Sequence, residues 1–380
     1  MRAFVYLIVF FSFFDLFAQL PIISPLARSI GAAPFLIGLA VGMYSFSNTI
    51  GNVLSGFWTD KKGPFFVLVT GLFATSFALF LYGTAVNVWM LLLIRFLHGL
   101  AAGLITPAAF TYLANHTASE KKGQGAAISG AFVGMAAIIG PAFGGIVASR
   151  TSEMYVLMTT GTAMALLGLT AIFMLKQQTA AVSLSKKVSV PLTVLFGSTL
   201  LRKAFSGAFL LMFSQGVLAY MLPLKVAELS YSSQTSGLLL STFGLVAITV
   251  FVSPANRLFD RLLPETAFSF GVLLMGTSLL LLSQAEAAGL LYFFMGIYGM
   301  GFAFLFPAIN SLLISAVTQE VRGKAYGYFY AFFSLGVVAG SSITGALSLS
   351  PSQGFLSTGL LLVAAGIFIL TQSIKKPSGV

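Results

Sequence analysis

Apolar residues run along this chain in long stretches, and short polar clusters interrupt them at regular intervals. A helix needs about 20 such residues to cross the hydrocarbon of a bilayer. The pattern predicts twelve spanning helices, six of them over 4–27, 34–57, 64–86, 88–114, 123–149 and 154–175. The other six fall over 204–227, 236–256, 265–284, 287–316, 323–349 and 353–374. Turn residues separate them, as at Gly31 to Pro34, Lys61 to Pro64 and Pro351 to Gly354.

The longest polar connection, 176–203, lies between the sixth and seventh spans and carries Gln177, Gln178, Lys186 and Lys187. It reads as a linker between two bundles, with a short interfacial helix allowed around Pro191 to Leu200, where the segment turns apolar. The two halves are related. Adding 200 to Gly99, Pro107, Glu120, Gly123, Phe132, Gly140 and Gly145 gives the same residue type each time. Asp60-Lys61 meets Asp260-Arg261, and Pro64 meets Pro264. The expected architecture is an all-α integral membrane protein of two pseudo-symmetric six-helix bundles, 1–175 and 204–380, joined through 176–203.

Composition supports this and adds an orientation. Only 8% of the 380 residues are charged against 58% hydrophobic, where a soluble domain carries about 25% charged. The net charge of +11 does not point to nucleic acid, because the basic residues recur in pairs between apolar runs. Sixteen of the twenty Lys and Arg fall on the side that holds both termini, and only Arg28, Arg150 and Lys225 on the other. That bias places both termini in the cytoplasm of a multi-pass cell-membrane protein. The first apolar run exceeds the h-region of a signal peptide and lacks a small-residue cleavage site, so no cleavable leader is expected. With zero cysteines and two isolated histidines, no disulfide and no metal site is expected.

Charge inside the membrane is where chemistry is expected. Asp15 is the one carboxylate deep within a span, about 16 Å from the cytoplasmic start of the first helix. Arg95 lies about 20 Å from the inner face on the fourth helix, at similar depth. Intramembrane ionisable groups face cavities and pair with one another. Asp15 is therefore expected to pair with Arg95 when ionised and to release it when protonated, with a static pair between helices as the plainer alternative. His98, three residues beyond Arg95 on the same face, is a candidate proton relay or a packed, hydrogen-bonded histidine. Loop-borne His116 is expected to be solvated. In the second half the charges vanish: Asp15 aligns with Gln215, Arg95 with Met295 and His98 with Tyr298. Proton handling is thus assigned to Asp15, Arg95 and His98, and substrate contact to Asp15, Gln19, Gln215 and Tyr298.

Gly56-x-x-x-Asp60-Lys61-Lys62-Gly63 forms a tight loop after the second span, and Asp260 repeats its acid. At this point the motifs resemble those of the major facilitator superfamily. GFWTDKKG is similar to its cytoplasmic-loop signature, and LIRFLHGLAAG to its helix-four arginine motif. GPAFGG resembles the helix-five motif of the twelve-helix drug:proton antiporter branch. Pro64 and Phe65 replace the basic pair that usually ends the loop motif, and Ala127 and Ala136 replace glycines of the helix-five motif.

The resemblance implies rocker-switch alternating access. It also implies gating through Gly56, Asp60, Gly63, Gly140, Pro141, Gly144, Gly145 and Asp260, with Gly140-Pro141 bending the fifth helix. The function it implies is proton-coupled export of small amphipathic molecules by a monomer, driven by the proton motive force without a cofactor. Alternatives are a proton-driven importer, a dedicated exporter of a sugar or metallophore, and a non-transporting membrane sensor. An enzyme is not expected, since no cluster of catalytic groups marks either membrane face.

Overall fold

Four of the helices begin at a proline, where the missing N–H costs no hydrogen bond and the ring presets the helical φ. The computed structural model describes residues 2–115, 122–175, 198–253, 262–317 and 322–374, and no strand occurs among them. In chain order the helices are α1 (Arg2–Ala18), α2 (Ile23–Ser29), α3 (Pro34–Lys62), α4 (Pro64–Leu81), α5 (Val88–Ala102), α6 (Ile105–Asn115) and α7 (Lys122–Arg150). They continue as α8 (Glu153–Met174), α9 (Thr199–Glu228), α10 (Ser233–Val252), α11 (Pro264–Gln284), α12 (Ala288–Ser315), α13 (Arg322–Ala346) and α14 (Pro351–Ile374).

Among the described residues, ten stretches are long and apolar enough to cross a membrane, and α1 with α2 makes an eleventh segment. The twelfth segment, α3, has 29 residues but carries Ser45, Ser47, Asn48, Thr49, Asn52, Ser55 and Thr59. Two of those groups dock α3 onto the fourth span. Asn48 Nδ2 donates to the Gly99 carbonyl at 3.3 Å and Ser55 Oγ to that of Leu104 at 2.8 Å. Interhelical hydrogen bonds of this kind substitute for the hydrophobic drive that lipid does not supply.

Three boundaries differ from expectation. The first span is not one helix over 4–27, because α1 and α2 meet at 45°. Pro21 lacks an N–H and disfavours a helical Leu20, so the chain turns on Leu20 N–H to Phe17 O (3.2 Å) and Ile22 N–H to Gln19 O (3.1 Å). The fourth span divides between Ala102 and Ile105, where the Pro107 ring crowds the carbonyl four residues back, at Gly103. Finally, α9 starts at Thr199, with Ser198 Oγ accepting from Leu201 N–H at 3.4 Å, so the end of the expected linker is helix. The linker over 176–197, His116, Glu120, Asp260 and Glu320 lie outside the described residues.

The chain forms two units, Met1–Ser185 with Ser230–Ser241, and Lys186–Leu229 with Thr242–Val380. In the first, α1 packs on α7, α3 on α5 and α4 on α8; in the second, α9 packs on α13, and α11 on α12 and α14. The α3–α5 approach depends on Gly99, where an added Cβ would fall on the Tyr44 carbonyl and Ser47 Oγ. Gly63 turns the chain from α3 to α4 at φ +82°, a conformation that costs glycine little. Gly56 is different: nothing lies within 4 Å of a Cβ built there.

These two glycines give opposed expectations. Gly99→Ala should destabilise the folded protein by about 1–3 kcal/mol through overpacking. Gly56→Ala should stabilise α3 by up to about 1 kcal/mol through helix propensity. Thermal unfolding in detergent measures both, and a Gly99→Ala variant that melts with the wild type would refute the close approach.

Candidate functional site

A carboxylate inside a membrane protein must be matched by donors, and α1 brings Asp15 to several. Asp15 and His98 are fully buried, Gln19 is 3% exposed and Arg95 4%. Asp15 lies in the last turn of α1, one turn ahead of the break at Pro21, so Gln19 falls just past the helix end. There the Gln19 amide folds back, donating from Nε2 to Asp15 Oδ1 at 2.8 Å and to the Asp15 carbonyl at 2.9 Å. The other carboxylate oxygen, Oδ2, lies 3.0 Å from His98 Nε2.

Arg95 does not contact Asp15. Its Nη1 donates to Gln19 Oε1, which links it to the carboxylate through one amide. The rest of the guanidinium is held by α3: Nε donates to Ala40 O at 2.8 Å and Nη2 to Val41 O at 3.3 Å. Its carbon lies 5.0 Å from the Tyr44 ring centroid, a cation–π distance. The expected direct Asp15–Arg95 pair is therefore corrected to Asp15–His98, with Arg95 one hydrogen bond removed. The reason lies in spacing: Arg95 and His98 are one turn apart on α5, and only the ring nitrogen comes within reach of Asp15.

Tyr82, in the turn after α4, closes the circuit. Its hydroxyl lies 3.4 Å from Arg95 Nη1 and 3.1 Å from His98 Nδ1. Arg95 can only donate, so the Tyr82 oxygen accepts from it and the Tyr82 O–H is free for Nδ1. With Tyr82 donating to Nδ1, Nε2 is the ring nitrogen that donates to Asp15 Oδ2.

The second unit repeats the geometry without the charge, in a shifted register. Tyr6 stacks on Phe132 at 5.7 Å, and Phe205 on Phe332 at 5.3 Å. Tyr44 meets His98 edge-on at 5.0 Å, as Phe243 meets Tyr298 at 5.9 Å. The α7, α13 and α5, α12 members differ by 200, but Tyr6 to Phe205 and Tyr44 to Phe243 differ by 199. On α9 the counterpart of Asp15 is thus Ser214, whose Oγ lies 2.7 Å from Tyr298 Oη, and not Gln215. Gln215 is turned to another face, and its buried Nε2 has no hydrogen-bond partner.

The glycine-proline run fixes α1 from behind. A Cβ at Gly144 would fall on the Ala18 carbonyl, and one at Gly140 on Phe17. On the adjacent face Gly145 meets Ser233 and Gly237, and Gly237 meets the Pro141 carbonyl. Pro141 lies inside α7, which runs as a single helix from Lys122 to Arg150. Gly56 to Lys62, expected as a tight loop, are instead the closing turns of α3, with Asp60 in the last of them and Gly63 at the turn itself. Sequence reasoning missed Tyr44, Tyr82, Ser214 and Gly237. The usable signal for Tyr82 was a hydroxyl in an apolar stretch, which demands a partner when buried.

Among the described residues, membrane-length helical segments fall in two units, and one unit holds a buried charge cluster. The chain belongs to the Major Facilitator Superfamily, whose model matches residues 5–206 and again 204–379. Its function is transport across a membrane. It is 27% identical over 354 residues to multidrug resistance protein MdtG of Klebsiella pneumoniae (strain 342), covering 88% of this chain and 84% of that protein. To MdtG of Rahnella sp. (strain Y9602) it is 28% identical over 327 residues, covering 81% and 76%. The fold is similar to that of a bacterial homolog of the human lysosomal transporter Spinster, in an inward-facing and occupied conformation. The TM-score is 0.82 at 13% identity, over 99% of this chain and 96% of that one. The nucleoside transporter NupG gives a TM-score of 0.77 at 14% identity, over 99% of both chains.

The circuit makes an ordered set of costs testable. Tyr82→Phe removes one hydroxyl and should cost about 1 kcal/mol. Arg95→Lys keeps the charge but cannot reach Gln19, Ala40, Val41 and Tyr82 together, and should cost roughly 3 kcal/mol. Thermal unfolding of the purified variants reads the order, and an Arg95→Lys variant as stable as Tyr82→Phe would contradict the circuit.

Proposed function

We propose that this transporter is a proton-coupled exporter of small amphipathic molecules, with Asp15 and His98 as the pair that takes up the coupled proton. The observation that carries the reading is their 3.0 Å contact, with both side chains fully buried. Arg95 holds the pair through Gln19 and Tyr82, so gain of a proton at Asp15 weakens the hold on α1. Gly140, Gly144 and Gly145 then carry the movement of α1 to α7 and to the start of α10. Asp60 and Gly63 act at the α3–α4 turn, and Asp260 at its repeat. One proton moving inward supplies about 2.3 kcal/mol per 100 mV. That is worth roughly a fiftyfold substrate gradient, enough for one carboxylate to drive export.

On the substrate side, the buried and unpartnered Nε2 of Gln215 supports a contact with an acceptor on the transported molecule. Tyr298 is fully buried and its hydroxyl is engaged by Ser214, so it supports that face from behind. The relatives' description as multidrug resistance proteins favours amphipathic drugs as the substrate class. We read the protein as a monomer, and the bias of basic residues supports both termini in the cytoplasm.

Two measurements test this. In proteoliposomes with a panel of fluorescent amphipathic dyes, Asp15→Asn should exchange dye down its gradient at near wild-type rates. It should lose accumulation driven by a pH gradient. Retained uphill transport would make the carboxylate structural. For orientation, single cysteines at Ser185 and at exposed Ser232 can be labelled on an otherwise cysteine-free chain. Ser185→Cys should react only from the cytoplasmic side and Ser232→Cys only from outside; the reverse pattern would invert the topology.

A further inference from the structure

The first turns of α9 carry a feature that the transport reading does not use. Arg202, Phe205, Ser206 and Phe209 recur at the spacing of one helix face, and with Phe332 of α13 they line a cavity of about 350 Å³. That is within the size range of ligand pockets, which combine apolar walls with a few polar groups. The Phe205–Phe332 stack, with rings 5° from parallel, makes one wall, and Phe209 extends it toward Phe213 at 5.9 Å.

Arg202 gives the apolar lining its aliphatic stem and carries its charge outside that lining. Its side chain is exposed, and Nη2 donates to Thr199 Oγ1 at 3.3 Å. Among the described residues no carboxylate pairs with it. Its neighbour Lys203 is neutralised by Glu265, Nζ to Oε1 at 2.6 Å. The guanidinium therefore keeps N–H donors in a fork that matches a phosphate in two-point contact. The first unit shows that this is an addition to the repeat. There the Tyr6–Phe132 stack is present, but Ala3 and Leu7 stand where Arg202 and Ser206 do.

We propose that this cavity binds an anionic phospholipid, with the phosphate on Arg202 and an acyl chain along Phe205, Phe209 and Phe332. Arg202 lies three residues from the start of α9, at the aqueous end of the span. With both termini cytoplasmic, as proposed above, that end faces the leaflet rich in anionic lipid. Inorganic phosphate would leave the aromatic walls empty. A zwitterionic lipid brings its own cation to its phosphate and gains less from Arg202.

Native mass spectrometry of the purified full chain tests the site without reference to transport or topology. Wild type should retain phosphatidylglycerol over phosphatidylcholine by about fivefold or more, the worth of one well-placed basic residue. Arg202→Gln should abolish that preference, while Arg2→Gln, which removes the same charge from another exposed position, should keep it. Arg202→Lys keeps charge without the fork and should fall between, which supplies the readout should the Gln variant fail to fold. An unchanged preference in the Arg202 variants would overturn the proposal. So would displacement of phosphatidylglycerol by millimolar inorganic phosphate, which would mark a site for free anions.

Discussion

One buried carboxylate constrains the rest of the first unit. Asp15 cannot be solvated where it sits, so the fold must bring donors to both of its oxygens. His98 and Gln19 do so at 3.0 and 2.8 Å. Arg95 supplies a cation one amide away, and two α3 carbonyls accept from its Nε and Nη2. Four separate segments therefore meet at one point: α1, α3, the turn after α4, and α5. A buried ion pair is poor cement compared with well-packed apolar groups. On the proposed reading it is retained for what a proton would do to it.

The break between α1 and α2 belongs to the same constraint. Gln19 lies four residues after Asp15, the spacing of neighbours on one helix face, and its amide bridges the carboxylate to the guanidinium. The chain breaks directly after it, at Leu20 and Pro21. Irregular backbone at membrane depth is tolerated where protein covers it, and Ile22 and Ile23 are buried.

Much of the fold was legible because the bilayer leaves few choices: spans, turns and the duplication all follow from hydropathy and repeated anchors. Asp15, Arg95 and His98 were legible for the same reason, since charge in an apolar run is costly and conspicuous. Their pairing was not. Rise per residue gives depth along a helix, and Asp15 and Arg95 do lie at similar depth, but which side chain meets which depends on rotation and neighbours. Tyr44 and Tyr82 are common residue types in spans and did not stand out, and Gln19 was read as a substrate contact and not as the bridge to Arg95. The register was lost more subtly. Anchors on the fourth and fifth helices of each half repeat at 200, and extending that offset to the first helix puts Gln215 opposite Asp15. The ring pairs show 199 there, and a shift of one residue rotates a helix by about 100°.

That rotation changes how the two units divide the work. Had Gln215 occupied the Asp15 position, its amide would have been spent on Tyr298, as Asp15 is spent on His98. Ser214 takes that role instead, and its hydroxyl satisfies the tyrosine at 2.7 Å. Gln215 is left as a buried donor without an acceptor, a state that costs about 1–3 kcal/mol. A cost of that size persists when something outside the folded chain relieves it, and a molecule in transit can do so. One unit therefore holds its polar groups closed on each other around a titratable pair, while the other keeps a donor open. On the proposed reading the sealed cluster answers to protons and the open donor to cargo.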